Sequence, residues 1–392
     1  MHVGINALFL VLGRYGGIET YLRNLARELP LVDPSVTYTL FTGPASAGTF
    51  AVGNAPNFHE YRCPFPSIPN RKLAWASRLA YEYAVLPRYV QQRGVDVLFS
   101  PCFTAPARRA YVSVATIPDV QHEDHPENFP AVDRLAFTRV LRRTARTASH
   151  ILTLSEYAKR RIIEVYGLPP ERVTATPLAA DPVYFTRIAP DEIARVRHMY
   201  GLRAPYLLSV ATLHPHKNLQ MLLEAYAMLK QTDPESPSLV LTGLRGMAAE
   251  AIERSIAAMG LTNDVRITGW VGDADMPALF QGASVFVLPS RYEGFGLPVL
   301  EAMASGVPVV TTTATSLPEV AGDAALLVDP DDREGFVSAL SRILTDADLR
   351  HSLVDKGCMR ARQFTWSKTA GTILDVLQRA SNTSGLPVHV TK

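Results

Sequence analysis

The densest chemistry in the chain lies in one run, Pro289-Ser290-Arg291-Tyr292-Glu293-Gly294-Phe295-Gly296-Leu297-Pro298-Val299-Leu300-Glu301. Apolar β-formers (Val285–Leu288) feed a loop with two glycines. Pro298 then opens a helix, because its missing N–H would have no intrahelical partner in the first turn. Gly294 and Gly296 let the backbone close on a ligand, and the free amides from Phe295 to Val299 form an anion site. The helix dipole alone favours a phosphate there by roughly 0.3–2 kcal/mol. Glu293 and Glu301, with seven residues between them, are poor neighbours for a phosphate but good acceptors for sugar hydroxyls. The combination implies a ligand with phosphate and polyol parts, a sugar nucleotide. Without a ligand, Glu293 reads as a loop surface charge and Glu301 as a first-turn residue that complements the dipole.

A second candidate loop is Ser209-Val210-Ala211-Thr212-Leu213-His214-Pro215-His216-Lys217-Asn218-Leu219, a strand, a loop and a helix start. Asn218 reads as the N-cap. Lys217 puts a cation at the helix end that disfavours cations, which a bound diphosphate would explain. The chain holds only 7 lysines, so the placement carries weight. An exposed lysine at a helix start is the alternative. Gly13-Arg14-Tyr15-Gly16-Gly17 joins the first strand to its helix but lacks the GxGxxG spacing of a dinucleotide site. It could be no more than a tight turn. The polar stretch Ile117-Pro118-Asp119-Val120-Gln121-His122-Glu123-Asp124-His125-Pro126-Glu127 follows a strongly apolar strand. Polar groups at the carboxyl end of a parallel strand face a ligand crevice. Asp119 and His122 are therefore candidates for lining a sugar or handling an acceptor proton. His122, Glu123, Asp124 and His125 also read as metal ligands, but the spacing is not HExxH and a loop can satisfy such groups with water, so no metal is expected. Asp273-Ala274-Asp275 has the form of a metal-binding DxD, yet Asp275 reads as an N-cap.

The segment Gly269-Trp270-Val271 … Val285 to Ser290 … Glu293-Gly294-Phe295-Gly296-Leu297-Pro298 … Glu301-Ala302-Met303-Ala304 … Gly306-Val307-Pro308-Val309-Val310 closely resembles the retaining family-4 glycosyltransferases, whose signature is two glutamates separated by seven residues. The resemblance runs from Gly16-Gly17-Ile18-Glu19 to Phe364-Thr365-Trp366. It implies the GT-B fold, two Rossmann-like doubly wound domains facing across a cleft. The nucleotide sugar would be held mainly by the second domain and the acceptor by the first, and the last helix would return to the first. It implies that Glu301 holds the ribose, and that Glu293 with the amides of Gly294, Phe295 and Gly296, next to Leu297, holds the donor sugar. Gly16 and Gly17 would cradle the reaction centre, and Thr212, His216 and Lys217 the diphosphate. Three positions depart from the family: Thr212 and His216 stand where relatives carry arginine, and Pro118-Asp119 where many carry His-Asp. Lys217 then carries most of the diphosphate neutralisation, and His216 adds charge only when protonated.

The implied reaction is retaining transfer from a nucleoside-diphosphate sugar, with Lys217, Glu293, Asp119 and His122 as the catalytic candidates and no cofactor or metal. The loop from Ala211 to Asn218 looks like those of bacterial surface-polysaccharide mannosyltransferases or rhamnosyltransferases. This points to GDP-mannose as donor and a glycan or lipid-linked glycan as acceptor. A sugar-nucleotide epimerase on the same fold and a non-catalytic nucleotide-sugar-binding protein remain alternatives. An NAD dehydrogenase is disfavoured, since no strand is followed by GxGxxG.

Positioning such loops requires parallel sheets. Short runs apolar on both faces alternate with helix-length segments: Val3–Ala7, Tyr38–Phe41, Val95–Phe99, Tyr111–Ile117, Ile151–Leu154 and Val173–Thr176, then Tyr206–Val210, Ser238–Thr242, Val265–Thr268, Val285–Leu288, Val307–Thr311 and Ala325–Val328. That pattern is an α/β chain of parallel strands covered by helices, and 392 residues exceed one core. Two domains are expected, 1–185 and 186–366, with a helix over about 367–392 crossing back. The boundary falls in the turn-rich stretch Leu178–Pro190.

Charge and composition narrow the partners. Lys+Arg number 39 and Asp+Glu 37, which argues against nucleic acid. Residues 1–185 hold 20 basic and 15 acidic residues and the remainder 19 and 22, so the halves differ by sign. Three scattered cysteines (Cys63, Cys102, Cys358) fit a reducing, cytoplasmic setting rather than a disulfide framework. No apolar run is long enough to span a bilayer. Arg139, Arg142, Arg143 and Arg146 share one helix face, and Arg71-Lys72, Trp75, Arg78, Tyr81 and Tyr83 add a basic aromatic stretch. Both allow a peripheral contact on the inner face of a membrane, or an ordinary solvated surface.

Overall fold

The computed structural model describes residues 1–11, 16–50, 55–65, 71–108 and 110–383, those at 71, 72 and 383 by backbone alone. Gly13, Arg14 and Tyr15 of the glycine loop, and the end of the expected last helix beyond 383, lie outside the described residues. The chain divides into two units, residues 1–178 with those from 365 onward, and residues 179–364.

Seven strands of the first unit are β1 (His2–Ala7), β2 (Thr37–Thr42), β3 (Phe58–Arg62), β4 (Val97–Ser100), β5 (Val112–Thr116), β6 (His150–Thr153) and β7 (Val173–Ala175). All pair in parallel, in the order β3-β2-β1-β4-β5-β6-β7. The register sets Ile5 beside Leu40 on one side and Phe99 on the other. The second unit contains β8 (Tyr206–Val210), β9 (Ser238–Thr242), β10 (Val265–Gly269), β11 (Val285–Leu288), β12 (Val309–Thr312) and β13 (Leu326–Val328). They too are parallel, in the order β10-β9-β8-β11-β12-β13. Central strands are buried along their length, β11 entirely, as a sheet covered on both faces requires. The fold is therefore two doubly wound α/β units. Each sheet reverses its order once, between β1 and β4 and between β8 and β11. At such a reversal the loops leaving the carboxyl ends of the two strands part and leave a ligand crevice.

β3 is the strand missing from the apolar pattern. Its sequence, Phe58-His59-Glu60-Tyr61-Arg62, is polar because it lies at the sheet edge with one flank unpaired. In the second unit Leu222, Tyr226, Val287, Phe336 and Leu340 share one buried cluster. The Trp366–Thr383 helix packs within the first unit on the Gly16–Val32 helix, with the Tyr21 and Trp366 rings 6.3 Å apart. All three cysteines are free.

One expected cap is corrected. Asp275 flanks the Met276–Gln281 helix, but its side chain does not cap it. Its oxygens accept from Arg195 at 2.5 Å and from the Tyr200 hydroxyl at 2.9 Å, a stronger use of a carboxylate than a single amide. Among the described residues no group of three His, Cys, Asp or Glu side chains is placed to hold a metal. None of the described helices is long and apolar enough to cross a membrane.

Candidate functional site

At the reversal of the second sheet, the loops leaving β8 and β11 are tied together through Asn218. It adopts a left-handed backbone, φ 57°, and its side chain makes no cap to the Leu219–Thr232 helix, which corrects the expected N-cap. Asparagine tolerates that conformation better than most residues. Its amide instead donates to the carbonyls of Pro289 (3.1 Å) and Pro330 (2.7 Å), and its Oδ1 accepts from Arg291 Nε at 3.1 Å. The Arg291 amide donates to the His216 carbonyl at 2.8 Å. From behind, the β8 loop rests on the β9 loop. A Cβ on Gly243 would come within 2.2 Å of the Ala211 carbonyl oxygen, so only glycine permits that approach.

Held this way, Lys217 and Glu293 meet. Lys217 Nζ lies 2.6 Å from Glu293 Oε1, and Ser290 Oγ donates to the same oxygen at 2.7 Å. Both side chains are mostly covered, 18% and 11% exposed. Oε2 takes no protein donor among the described residues. The sequence places the cation near a phosphate and the carboxylate near a sugar; the structure brings them into one ion pair.

The glycine loop then turns into the Leu297–Ala304 helix, with Pro298 in its first turn as expected. Gly296 has φ 100°, and a Cβ there would sit 2.6 Å from Leu317 Cδ2. The Phe295 and Leu297 side chains are buried, Phe295 edge-on to Phe364 at 5.9 Å, so these residues offer only backbone. No protein acceptor among the described residues takes the amides of Phe295, Gly296 or Leu297. Two residues absent from the sequence reading fix this loop. Buried Ser316 Oγ donates to the carbonyls of Glu293 and Phe295, both at 2.9 Å, and the Glu293 amide donates to Thr315 Oγ1 at 3.0 Å. Their only sequence signal is the hydroxyl run Thr311-Thr312-Thr313-Ala314-Thr315-Ser316 after β12.

Glu301 is nearly inaccessible beside Tyr184. Burial pushes its pKa up to about 8, helped by Asp273 and Asp181 and opposed by Tyr184. At neutral pH it is therefore largely a carboxylic acid, able to donate a hydrogen bond as well as accept one. His216 stacks on His214 at 5.8 Å, while burial and Lys217 lower the His214 pKa. Thr212 is half-buried in the same loop.

Residues 16–179 match the model for a glycosyl transferase 4-like domain, and residues 194–358 the model for glycosyl transferases group 1. O-antigen chain mannosyltransferase B of Escherichia coli is 35% identical over 298 residues, 76% of this chain and 74% of that protein. The chain is a family-4 glycosyltransferase. The MMP alpha-(1->4)-mannosyltransferase of Mycolicibacterium hassiacum is 31% identical over 62% of this chain and 57% of that protein. In fold, this glycosyltransferase is GT-B. WaaG, a glycosyltransferase involved in lipopolysaccharide biosynthesis, superposes with a TM-score of 0.73 at 17% identity, covering 96% and 99% of the two chains. HepE of Anabaena in complex with UDP-glucose gives 0.72 at 18% identity, covering 97% and 100%.

In the first unit of the glycosyltransferase, Gly16 and Gly17 begin the Gly16–Val32 helix behind β1, Gly16 with φ 31°. Asp119 follows β5, and its Oδ1 accepts from the Gln121 amide at 3.0 Å. His122 is placed differently from its expected role. It is 1% exposed, edge-on to the rings of Phe137 (5.0 Å) and Phe129 (6.5 Å), and its Nε2 lies 3.4 Å from the Tyr166 hydroxyl. The four-residue Gln121–Asp124 helix turns this ring inward onto the Ala131–Thr147 helix, and burial lowers its pKa. A packed, largely neutral imidazole is poorly placed to handle a proton at a solvent-facing acceptor. Its neighbours are also engaged: Glu123 lies 3.5 Å from Arg142 and Asp124 2.5 Å from Arg161.

Proposed function

We propose that this glycosyltransferase transfers a mannosyl residue from GDP-mannose to a hydroxyl of a glycan or lipid-linked glycan during cell-surface polysaccharide synthesis, with retention at the anomeric carbon. The observation that carries it is the Lys217–Glu293 contact at the mouth of an amide-lined helix start, set where the second sheet reverses. The mannosyltransferase relatives support the choice of sugar.

The diphosphate accepts from the amides of Phe295, Gly296 and Leu297, and Lys217 exchanges its carboxylate partner for a phosphoryl oxygen. Glu293, still anchored by Ser290, is released to accept donor-sugar hydroxyls. Glu301 takes the ribose. As the glycosidic bond to the diphosphate breaks, negative charge grows on the leaving phosphate while the sugar carbon becomes cationic. Lys217 and the amides stabilise that charge, and the leaving phosphate accepts the acceptor proton on the same face. The sequence of steps needs no metal or cofactor. An oriented donor of this kind is worth roughly 2.7–4 kcal/mol.

The test is release of nucleoside diphosphate from a panel of nucleotide sugars, with the product anomer read by NMR. GDP-mannose is expected to turn over and give the α-linked product, and Lys217→Ala to lower turnover by about 10²–10³-fold at an unchanged melting temperature. A β-linked product refutes retention, and no release from any donor refutes the function.

The acceptor-side unit also engages an anionic membrane surface peripherally. Leu73, Trp75, Val132 and Leu135 are exposed on the Arg71–Ala84 and Ala131–Thr147 helices. The two helices meet where Arg143 lies 4.2 Å over the Tyr83 ring.

A further inference from the structure

The first sheet has its own reversal, between β1 and β4, and the structure gathers an unusual group of polar side chains there. Asn6 comes from the end of β1 and Ser100 from the end of β4, with Cys102 and Thr104 just beyond. Against them the Arg71–Ala84 helix sets Arg78 and Glu82, one turn apart. Glu82 is fully buried, and no protein donor among the described residues reaches either of its oxygens in hydrogen-bonding geometry. The same holds for Arg78 Nε, Ser100 Oγ and Thr104 Oγ1, all buried without a partner. Arg78 Nε stands 3.6 Å from Glu82 Oε1, close enough for attraction and too far for a hydrogen bond. Burial pushes the Glu82 pKa up, opposed first by the Arg78 charge and then by Thr104 and Asn6, whose polar groups approach the carboxyl without reaching hydrogen-bonding geometry.

A guanidinium has five donors in a rigid fork. Arg78 is only 14% exposed, and its Nε is buried without an acceptor among the described residues. Leaving the buried Nε without a hydrogen bond is costly, and the fork geometry is the one that pairs two-pronged with a carboxylate or phosphate. The carboxyl ends of strands at a sheet reversal are also where α/β units take ligands.

We propose that Arg78, held in place by Glu82, is a subsite for an oxyanion carried by the acceptor, a phosphate or a carboxylate on the glycan. This rests on the glycosyltransferase reading above, in which the first unit receives the acceptor. Arg78 contacts the oxyanion directly, and Glu82 is a positioning residue whose carboxyl keeps the fork aimed at the crevice. Acceptor choice is then set partly by charge, at a residue of the first unit.

The test titrates the full-length chain by calorimetry with three probes: methyl α-D-mannopyranoside, its 6-phosphate and the corresponding uronate. The wild type is expected to bind one charged mannoside at least tenfold more tightly than the neutral one, and which one it is tells phosphate from carboxylate. Arg78→Gln removes that preference, and Arg78→Lys, a point charge without the fork, keeps only part of it. Glu82→Gln weakens the charged probe several-fold while leaving the neutral probe unchanged, which a purely structural role would not do. Equal binding of all three by the wild type overturns the proposal. So does a full preference in Arg78→Gln or Arg78→Lys that melts like the wild type. Loss of the preference in Lys217→Ala with Arg78→Gln unaffected places the oxyanion in the donor pocket and also overturns it. Failure of the wild type to release nucleoside diphosphate from any donor would refute the transfer reaction separately and leave the titration to answer for Arg78.

Discussion

Two acidic residues of one short segment sit in opposite surroundings. Glu293 Oε1 meets the Lys217 ammonium at 2.6 Å and the Ser290 hydroxyl at 2.7 Å. Glu301 is deprived of water beside Tyr184 and further opposed by Asp273 and Asp181, which lifts its pKa to about 8. The sign of the consequence follows from linkage. An unfolded chain releases the Glu301 proton above its ordinary value, 4.5, while the folded chain keeps it up to about 8. The folded state therefore binds more protons across that window, and stability falls as pH rises through it. Glu301→Gln removes the titration and keeps the shape. Between pH 5 and pH 8 the variant is expected to gain on the wild type by at least about 1.4 kcal/mol, the equivalent of one pKa unit. Above that range the difference levels off, and nucleotide affinity falls at every pH. Denaturant melts at four pH values check it; a stability difference that stays flat across the window would mean that Glu301 is ionised in the fold.

At the scale of the element, what the sequence made legible and what it hid divide along lines of burial. Strands such as Val285–Leu288 stand out because a central parallel strand is apolar on both faces. The glutamate loop stands out because glycine and proline mark its turn and helix start. β3 carries no such mark, since one flank is unpaired at the sheet edge. Ser316 and Thr315 were equally silent, because a loop hydroxyl that braces two carbonyls has no periodicity to betray it. Asn218 and Asp275 occupied cap positions by pattern, but stronger partners in space claimed their side chains. His122 looked available in a polar stretch until a single helical turn aimed it inward. The Arg71–Ala84 and Ala131–Thr147 helices show the converse, apolar residues left outward beside arginines. If those faces meet a membrane, the chain sediments with vesicles containing one third phosphatidylglycerol at low salt and is released as salt screens the surface. A double Arg139→Glu/Arg142→Glu variant weakens that binding by about 2 kcal/mol or more, near 1 kcal/mol for each lost cation. No sedimentation with the vesicles at low salt removes the membrane contact.

At the scale of the molecule, the first unit is not continuous in sequence: it is completed by a helix that arrives only after the second unit has been built. Trp366, Ala370, Ile373, Leu374, Val376 and Leu377 of that helix are buried, and Thr369 Oγ1 donates to the Pro177 carbonyl at 2.5 Å. Burying the four aliphatic side chains Ile373, Leu374, Val376 and Leu377 contributes roughly 6–12 kcal/mol, from about 1.5–3 kcal/mol each. A whole domain keeps only about 5–15 kcal/mol of net stability. A chain ended after Phe364 therefore leaves the first unit without a margin, whereas residues 179–364 keep their sheet, their core and the Lys217–Glu293 site. Limited proteolysis of the shortened chain should cut quickly before residue 178 and leave a resistant fragment of the second unit that still binds the nucleoside diphosphate. A shortened chain as resistant throughout as the full-length one would show that the returning helix is not what holds the first unit together.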